Sequence, residues 1–328
     1  MHPLRLVPLA VAGALLLTAC GGGDDASAQA GGSDALDVVV GLYPYEFVAA
    51  RVGGDDATVS NLTAPGAEPH DLELTPQQVA QVGSADLVLY SAGFQPAVDE
   101  AVEQQSGDAA LDVLSTVEVR RYDGDEAHAE GEAHSEGEAH GEEEGEAHAE
   151  EGDDHDHEGE DPHVWLDPTR LATVADAVAE RMAELAPERA DAFRANAAEL
   201  KDELTALDGD LEAGLSSCER TELVTSHDAF GYLADRYGLE QVAISGLSPE
   251  DEPSPRRLAE VAQFAQERGV TTIFFEELVS PRVAESLARE VGADATVLSP
   301  LEGPPEDGDY LDAMRANLET LRTALGCA

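Results

Sequence analysis

The chain has 328 residues, 42% of them hydrophobic, and a formal net charge of −51 at pH 7. A surface this acidic repels nucleic acid and anionic lipid and raises the local concentration of cations. It contains one lysine, Lys201, and three cysteines, too few and too scattered for a finger-like Cys site.

Residues 1–19 read as an export signal: Arg5 gives a positive start, and Leu6 to Leu17 is an apolar run too short to span a bilayer. Leu17-Thr18-Ala19-Cys20 resembles a bacterial lipobox, in which cleavage precedes a lipidated cysteine. The other reading is an ordinary secretory signal followed by a chance cysteine. Residues 20–35, rich in Gly, Asp and Ser, form a flexible tether. Together they predict an extracytoplasmic body held by lipid at the outer face of the cell membrane. Roughly 290 residues remain, enough for two domains of ordinary size.

Asp37 to Leu42 is a continuous apolar run of the kind found in parallel sheets, ended by a turn at Tyr43-Pro44. A helix over Tyr45 to Val52 closes at Gly53-Gly54, and Thr58 to Leu62 forms a second strand. Thr75-Pro76 opens a helix with a threonine cap and proline at its first position, and Ala85 to Tyr90 is a third strand. This alternation predicts an α/β lobe over residues 36–168.

Residues 123–161 interrupt the pattern. They hold 19 acidic residues and no Lys or Arg, which leaves −32 on the rest of the chain. Glu-Ala-His recurs at 126–128, 132–134, 138–140 and 146–148, and no apolar residue larger than alanine occurs. Such a segment cannot bury enough surface to offset its ordering entropy, so a disordered loop is expected. Its six histidines (His128, His134, His140, His148, His155 and His157) suit weak, loosely arranged metal contact. The bland alternative is a solvated spacer.

Residues 169–216 carry a helical stripe from Leu171, Val174 and Val178 to Leu207 and Leu211, with a kink or restart at Pro187. That length suits a rigid connector between two lobes. Residues 217–328 then repeat the α/β pattern. Strands are expected near Glu222 to Ser226, Glu240 to Ile244, Thr271 to Phe275 and Ala295 to Leu298, and a last helix over Tyr310 to Leu325. Cys218 and Cys327 either form one disulfide, tying the start of the second lobe to the chain end, or remain two thiols.

Outside the signal and the acidic loop only His70, His163 and His227 remain. An isolated histidine is usually a surface or core residue. These three each lie in a loop or near the carboxyl end of an expected strand, where α/β sheets gather ligands. Neutral imidazole is the commonest metal ligand, so a shared metal site between two lobes is the sharper reading.

Four segments carry a family resemblance: Ala67-Glu68-Pro69-His70-Asp71-Leu72-Glu73-Leu74-Thr75-Pro76, Asp161-Pro162-His163-Val164-Trp165-Leu166-Asp167-Pro168, Thr225-Ser226-His227-Asp228-Ala229-Phe230-Gly231-Tyr232 and Leu298-Ser299-Pro300-Leu301-Glu302-Gly303. In this order and spacing the chain resembles the cluster A-I solute-binding proteins of zinc and manganese ABC transporters, in the zinc-uptake (ZnuA-like) branch. The resemblance implies two α/β lobes joined by a long helix with the metal in the cleft, and histidine ligands at His70, His163 and His227. It implies a carboxylate in the fourth position. An aspartate common there is Ser299 in this chain, so the role passes to Glu302, with water or Glu68 as the alternatives.

Three imidazoles and one carboxylate suit tetrahedral zinc, whereas a harder set with two carboxylates suits manganese. Asp228 is expected to orient a ligand ring, Trp165 to pack beside His163 or within the core, and Glu276 and Glu277 to face either the cleft or solvent. The implied partner is a membrane permease with a separate ATPase, because no Gly-x-x-x-x-Gly-Lys-Ser/Thr loop is present. A monomer that binds Zn²⁺ as transported ligand and performs no covalent chemistry is expected. A zinc hydrolase is the competing enzyme reading, opposed by the lack of a His-Glu-x-x-His helix. A surface adhesin, a role also found among relatives, is the competing interaction reading.

Overall fold

The computed structural model describes residues 35–122 and 159–328. The export signal, most of the tether with Cys20, and the six loop histidines His128, His134, His140, His148, His155 and His157 lie outside the described residues. No described helix is long and apolar enough to cross a membrane.

Two four-stranded parallel sheets organise the chain. The first is built from β1 (Leu36–Val40), β2 (Ala57–Asn61), β3 (Leu87–Tyr90) and β4 (Ala110–Asp112), in the order β2-β1-β3-β4. The second has β5 (Glu222–Thr225), β6 (Glu240–Ala243), β7 (Thr272–Phe275) and β8 (Asp294–Val297), in the matching order β6-β5-β7-β8. Residues 38–40 and 87–89 of the inner strands β1 and β3 are apolar because both of their faces are covered. Val38 and Val40 pack into one hydrophobic cluster with Leu87 and Leu89, while Val39 and Val88 point the other way into a second. Leu223 and Val224 divide between two clusters in the same manner. Strand β4 was not expected from sequence: three half-buried edge residues leave no apolar run to detect.

The helices are α1 (Tyr43–Gly53), α2 (Pro76–Val82), α3 (Pro96–Gln105), α4 (Pro168–Leu185), α5 (Ala190–Leu215), α6 (Gly231–Tyr237), α7 (Pro255–Arg268), α8 (Arg282–Val291) and α9 (Tyr310–Leu325). Their starts follow the chemistry of orphaned backbone N–H groups. Thr75 and Gln78 form a reciprocal capping box on α2, and Asp167 caps α4 ahead of Pro168.

The expected connector over residues 169–216 is not one helix. The helical backbone conformation ends at Ala186, and Pro187, which lacks an N–H and crowds the preceding turn, begins a separate 3-10 turn to Arg189. The two helices then run antiparallel, as the ion pairs Glu180–Arg194 and Asp176–Lys201 require. The long α5 bridges the lobes. Its 26 residues extend about 39 Å at a rise of 1.5 Å each. Phe193, Ala197, Leu200, Leu204, Leu207, Leu211 and Leu215 bury one continuous stripe. Asn196 near its start donates to Val52 O of α1, and Gly214 near its end lies against Leu318 of α9. One hydrophobic cluster therefore runs from the first sheet through α5 to α9. A disulfide between Cys218 and Cys327 joins the segment after α5 to the chain end.

Candidate metal centre

Four side chains from four separate loops meet where the two sheets face each other. His70 follows β2, His163 precedes a short 3-10 turn over Val164–Leu166, His227 follows β5, and Glu302 follows β8. His70, His227 and Glu302 thus lie beyond the carboxyl ends of strands, where an α/β fold leaves a crevice. All four are buried, His163 fully and His70 the most open at 9% exposure.

The geometry converges on one carboxylate oxygen. Glu302 Oε1 stands 3.4 Å from Nε2 of His70, of His163 and of His227. No two of the four ligand atoms are more than 4.8 Å apart. In a tetrahedron with zinc–ligand bonds of 2.0–2.1 Å, adjacent ligand atoms sit about 3.3–3.4 Å apart. The three edges that meet at Glu302 Oε1 thus have the length of edges in a zinc shell. Nε2 of His163 and of His227, and Oε2 of Glu302, are buried without a hydrogen-bond partner. Such groups are costly to leave unmatched, and an ion at the centre would satisfy them together.

Electrostatics favour a cation here. Burial would push the Glu302 carboxyl up, but the three imidazoles that surround it hold it well below the usual carboxylate range. Burial likewise opposes charge on His227, yet the Glu276 and Glu302 carboxylates outweigh it and hold the ring at about 10.

The outward nitrogens are also engaged. His163 Nδ1 lies 2.8 Å from Asp161 Oδ1, and His227 Nδ1 lies 2.7 Å from Glu276 Oε1. With Nδ1 donating outward, each ring turns Nε2 toward Glu302, the nitrogen a metal would take once its proton has left. Asp228, expected in the orienting role, is not the hydrogen-bond partner of either ring. The signal for Asp161 was its place in Asp-Pro-His, and that for Glu276 its position just after a strand. Glu277 is exposed.

His70 is fixed differently. Its ring packs on Phe94 at a centroid distance of 4.3 Å. Glu68, the other carboxylate weighed for the fourth position, instead caps the loop by accepting the backbone N–H groups of His70 and Asp71. Gln95 Nε2 donates to Pro69 O and Thr63 Oγ1, and a Cβ on Gly41 would come within 2.5 Å of Gln95 Oε1. The glycine is needed for that close approach.

Ser299 contributes no ligand atom to the cluster, but it helps build the turn. Its Oγ accepts from Leu301 N at 3.3 Å, and its backbone is clamped by Asn317 of α9 through both amide atoms. Leu301 takes φ of +60°, an uncommon conformation for leucine, with its side chain buried. That turn aims Glu302 inward. Trp165 is fully buried beside His163 and donates from Nε1 to Pro300 O at 2.7 Å, tying the His163 turn to the Glu302 segment.

Residues 38–324 match the family model described as zinc-uptake complex component A, periplasmic. The zinc-binding protein AdcA of Streptococcus pyogenes serotype M3 is 39% identical over 303 residues, which cover 88% of this chain and 55% of that protein. The chain thus spans about half the length of that relative. The high-affinity zinc uptake system protein ZnuA of Bacillus subtilis is 36% identical, covering 95% of this chain and 94% of its own. Among solved structures, the laminin-binding protein Lmb of Streptococcus agalactiae, described as bifunctional with adhesin and metal-transporting activity, superposes with a TM-score of 0.73. It shares 30% identity and covers 88% of this chain and 99% of its own.

Proposed function

The chain belongs to the family of periplasmic zinc-uptake components, and from that premise we propose that it captures Zn²⁺ between its lobes and delivers it to an ABC permease. One observation carries the reading: three buried imidazole nitrogens stand 3.4 Å from a single carboxylate oxygen, the edge of a zinc tetrahedron. His70, His163, His227 and Glu302 are the proposed ligands. Four protein ligands close the shell, so no coordination place is kept for a reactive water, and the protein is a receptor rather than a hydrolase. A single carboxylate among three imidazoles favours zinc over manganese. The names of the AdcA and ZnuA relatives support the same metal.

Transport energy comes from an ATPase on another chain. The mature protein begins at a lipidated Cys20 and works as a monomer on the outer face of the cell membrane. His128, His134, His140, His148, His155 and His157 collect zinc weakly near the cleft. Adhesion is a second reading, favoured by the description of Lmb.

Elemental analysis of the purified protein, with residues 123–157 deleted, tests the assignment. The deletion is expected to keep one tightly held zinc and lose the weak ones. Replacing His70, His163 and His227 by Ala in that background is expected to abolish the tight ion. Stoichiometric zinc retained in the triple variant would overturn the ligand set. Normal growth of a deletion strain under zinc limitation, with surface attachment lost, would favour adhesion instead.

A further inference from the structure

Behind His163 lies a polar assembly that no ligand role accounts for. Asp161, fully buried, uses Oδ1 to accept both the backbone N–H and Nδ1 of His163, at 3.0 and 2.8 Å. Its other oxygen, Oδ2, accepts from a terminal guanidinium nitrogen of Arg120 at 2.9 Å. Arg120 also donates from Nε to Asp235 of α6 at 2.7 Å. Tyr232 of α6 completes the assembly: its hydroxyl donates to Asp161 O and accepts Arg120 N–H. The chain on either side is paired, with Asp161 N donating to Arg120 O and Tyr122 N to Gly159 O.

We infer that Arg120 is a positioning residue for metal capture, acting through Asp161 to fix the His163 ring and tying that ring to α6 of the second lobe. Asp161 has two oxygens and needs both. Without Arg120 on Oδ2, the carboxylate is held only through its Oδ1 contacts to His163 itself, and the Nδ1 contact that aims Nε2 at Glu302 is less firmly fixed. The planar guanidinium suits the task because it grips Asp161 and Asp235 from different nitrogens at once.

Gly231, the first residue of α6, shows how closely this is built. A Cβ there would fall 1.7 Å from the guanidinium nitrogen and 2.9 Å from Asp161 Oδ2. Gly231 is not among the glycines with positive φ. Its backbone would therefore accept alanine, and what forbids a side chain is the space the Arg120–Asp161 pair occupies.

The inference rests on the reading of His163 as a ligand, and its test separates the two. Zinc affinity is measured on the full chain by competition with a chromophoric chelator, and ligand geometry from the visible spectrum of the Co²⁺-loaded protein. Arg120→Gln and Gly231→Ala are each expected to weaken zinc by about ten- to a hundredfold and to alter the cobalt spectrum, as loss of an orienting partner does. Arg120→Lys keeps the charge but not the fork and is expected to restore part of the affinity. Gly231→Ala keeps the test open should Arg120→Gln fail to fold, because it displaces the guanidinium while favouring the helix. If the unaltered chain holds no tight zinc, the receptor reading falls and this inference with it. If it does, but both variants bind within about threefold of it with an unchanged cobalt spectrum, the inference alone is overturned. A lowered melting temperature of the ion-free protein with that same unchanged spectrum overturns it too, because the role would be merely structural.

Discussion

Glu276 offers the sharpest quantitative test of how the site is tuned. Its carboxylate is 2% exposed, and Oε1 accepts from His227 Nδ1 at 2.7 Å and from Ser226 Oγ at 2.9 Å. A hydrogen bond to a charged partner contributes about 1.5–3 kcal/mol, and a neutral one about 0.5–1.5 kcal/mol. Glu276→Gln keeps an acceptor of the same shape but removes the charge, a loss of about 1–1.5 kcal/mol, or roughly five- to tenfold in zinc affinity. Glu276→Ala leaves the buried Nδ1–H without an acceptor and is expected to cost about 1.5–3 kcal/mol, roughly ten- to a hundredfold or somewhat more. Competition titration of both variants at fixed pH and salt measures this order. If Gln and Ala bind zinc as tightly as the parent, His227 does not depend on its outer partner and the account of its tautomer is wrong. If Gln costs more than Ala, the amide has turned its NH₂ to the ring and forced the proton onto Nε2.

Acid should expel zinc. The ion-free His227 is held at about 10, so a proton must leave for Nε2 to bind metal. Affinity is expected to rise about tenfold per pH unit between about pH 7 and 9, with one proton released per ion in weak buffer; pH-independent affinity would refute this. The same raised value stabilises the ion-free fold fully below the unfolded pKa of about 6.5, and this contribution is lost as pH rises through about 10. Melting of the metal-free protein should accordingly worsen over that window, while that of the loaded protein should not. Replacing both Cys218 and Cys327 by Ser opens a loop of 109 residues and is expected to lower unfolding stability by about 2–4 kcal/mol in urea, with zinc affinity unchanged. Gly41→Ala drives a Cβ into Gln95 and loosens the His70 loop. It should cost about 1–3 kcal/mol of stability and weaken zinc measurably; a variant that keeps both would show that Gln95 does not hold that loop.

Much of the scaffold was readable in the chain because its signals are local. The buried run Val38 to Val40, the Thr75–Gln78 cap and the span of α9 need only near neighbours to specify them. The break at Pro187 was readable as a break, but its consequence was not. Whether the chain restarts in line or folds back depends on contacts such as Glu180–Arg194, which join residues 14 apart across the turn. The α4–α5 hairpin therefore replaced a single connector. The short edge strand β4 escaped for the opposite reason: with half-buried side chains it carries little pattern of its own.

At the centre, residue type alone singled out His70, His163 and His227, because scarce imidazoles in loops after strands have few other uses. The sequence also supplied Glu302, through its motif. It did not determine which carboxylates stand behind the rings. Asp228, adjacent to His227, looked as suitable as Glu276, which is 49 positions away but 2.7 Å from the ring. Nor did it show that Ser299 shapes a turn, that Glu68 caps a loop, or that Arg120 reaches Asp161 across a space kept open by Gly231. Which side chains can serve as ligands is a matter of their chemistry, which a sequence states, although it left Glu302, Glu68 and water open for the fourth position. Ligand orientation is set by contacts between residues far apart in the chain, and only the packed lobes fix those distances.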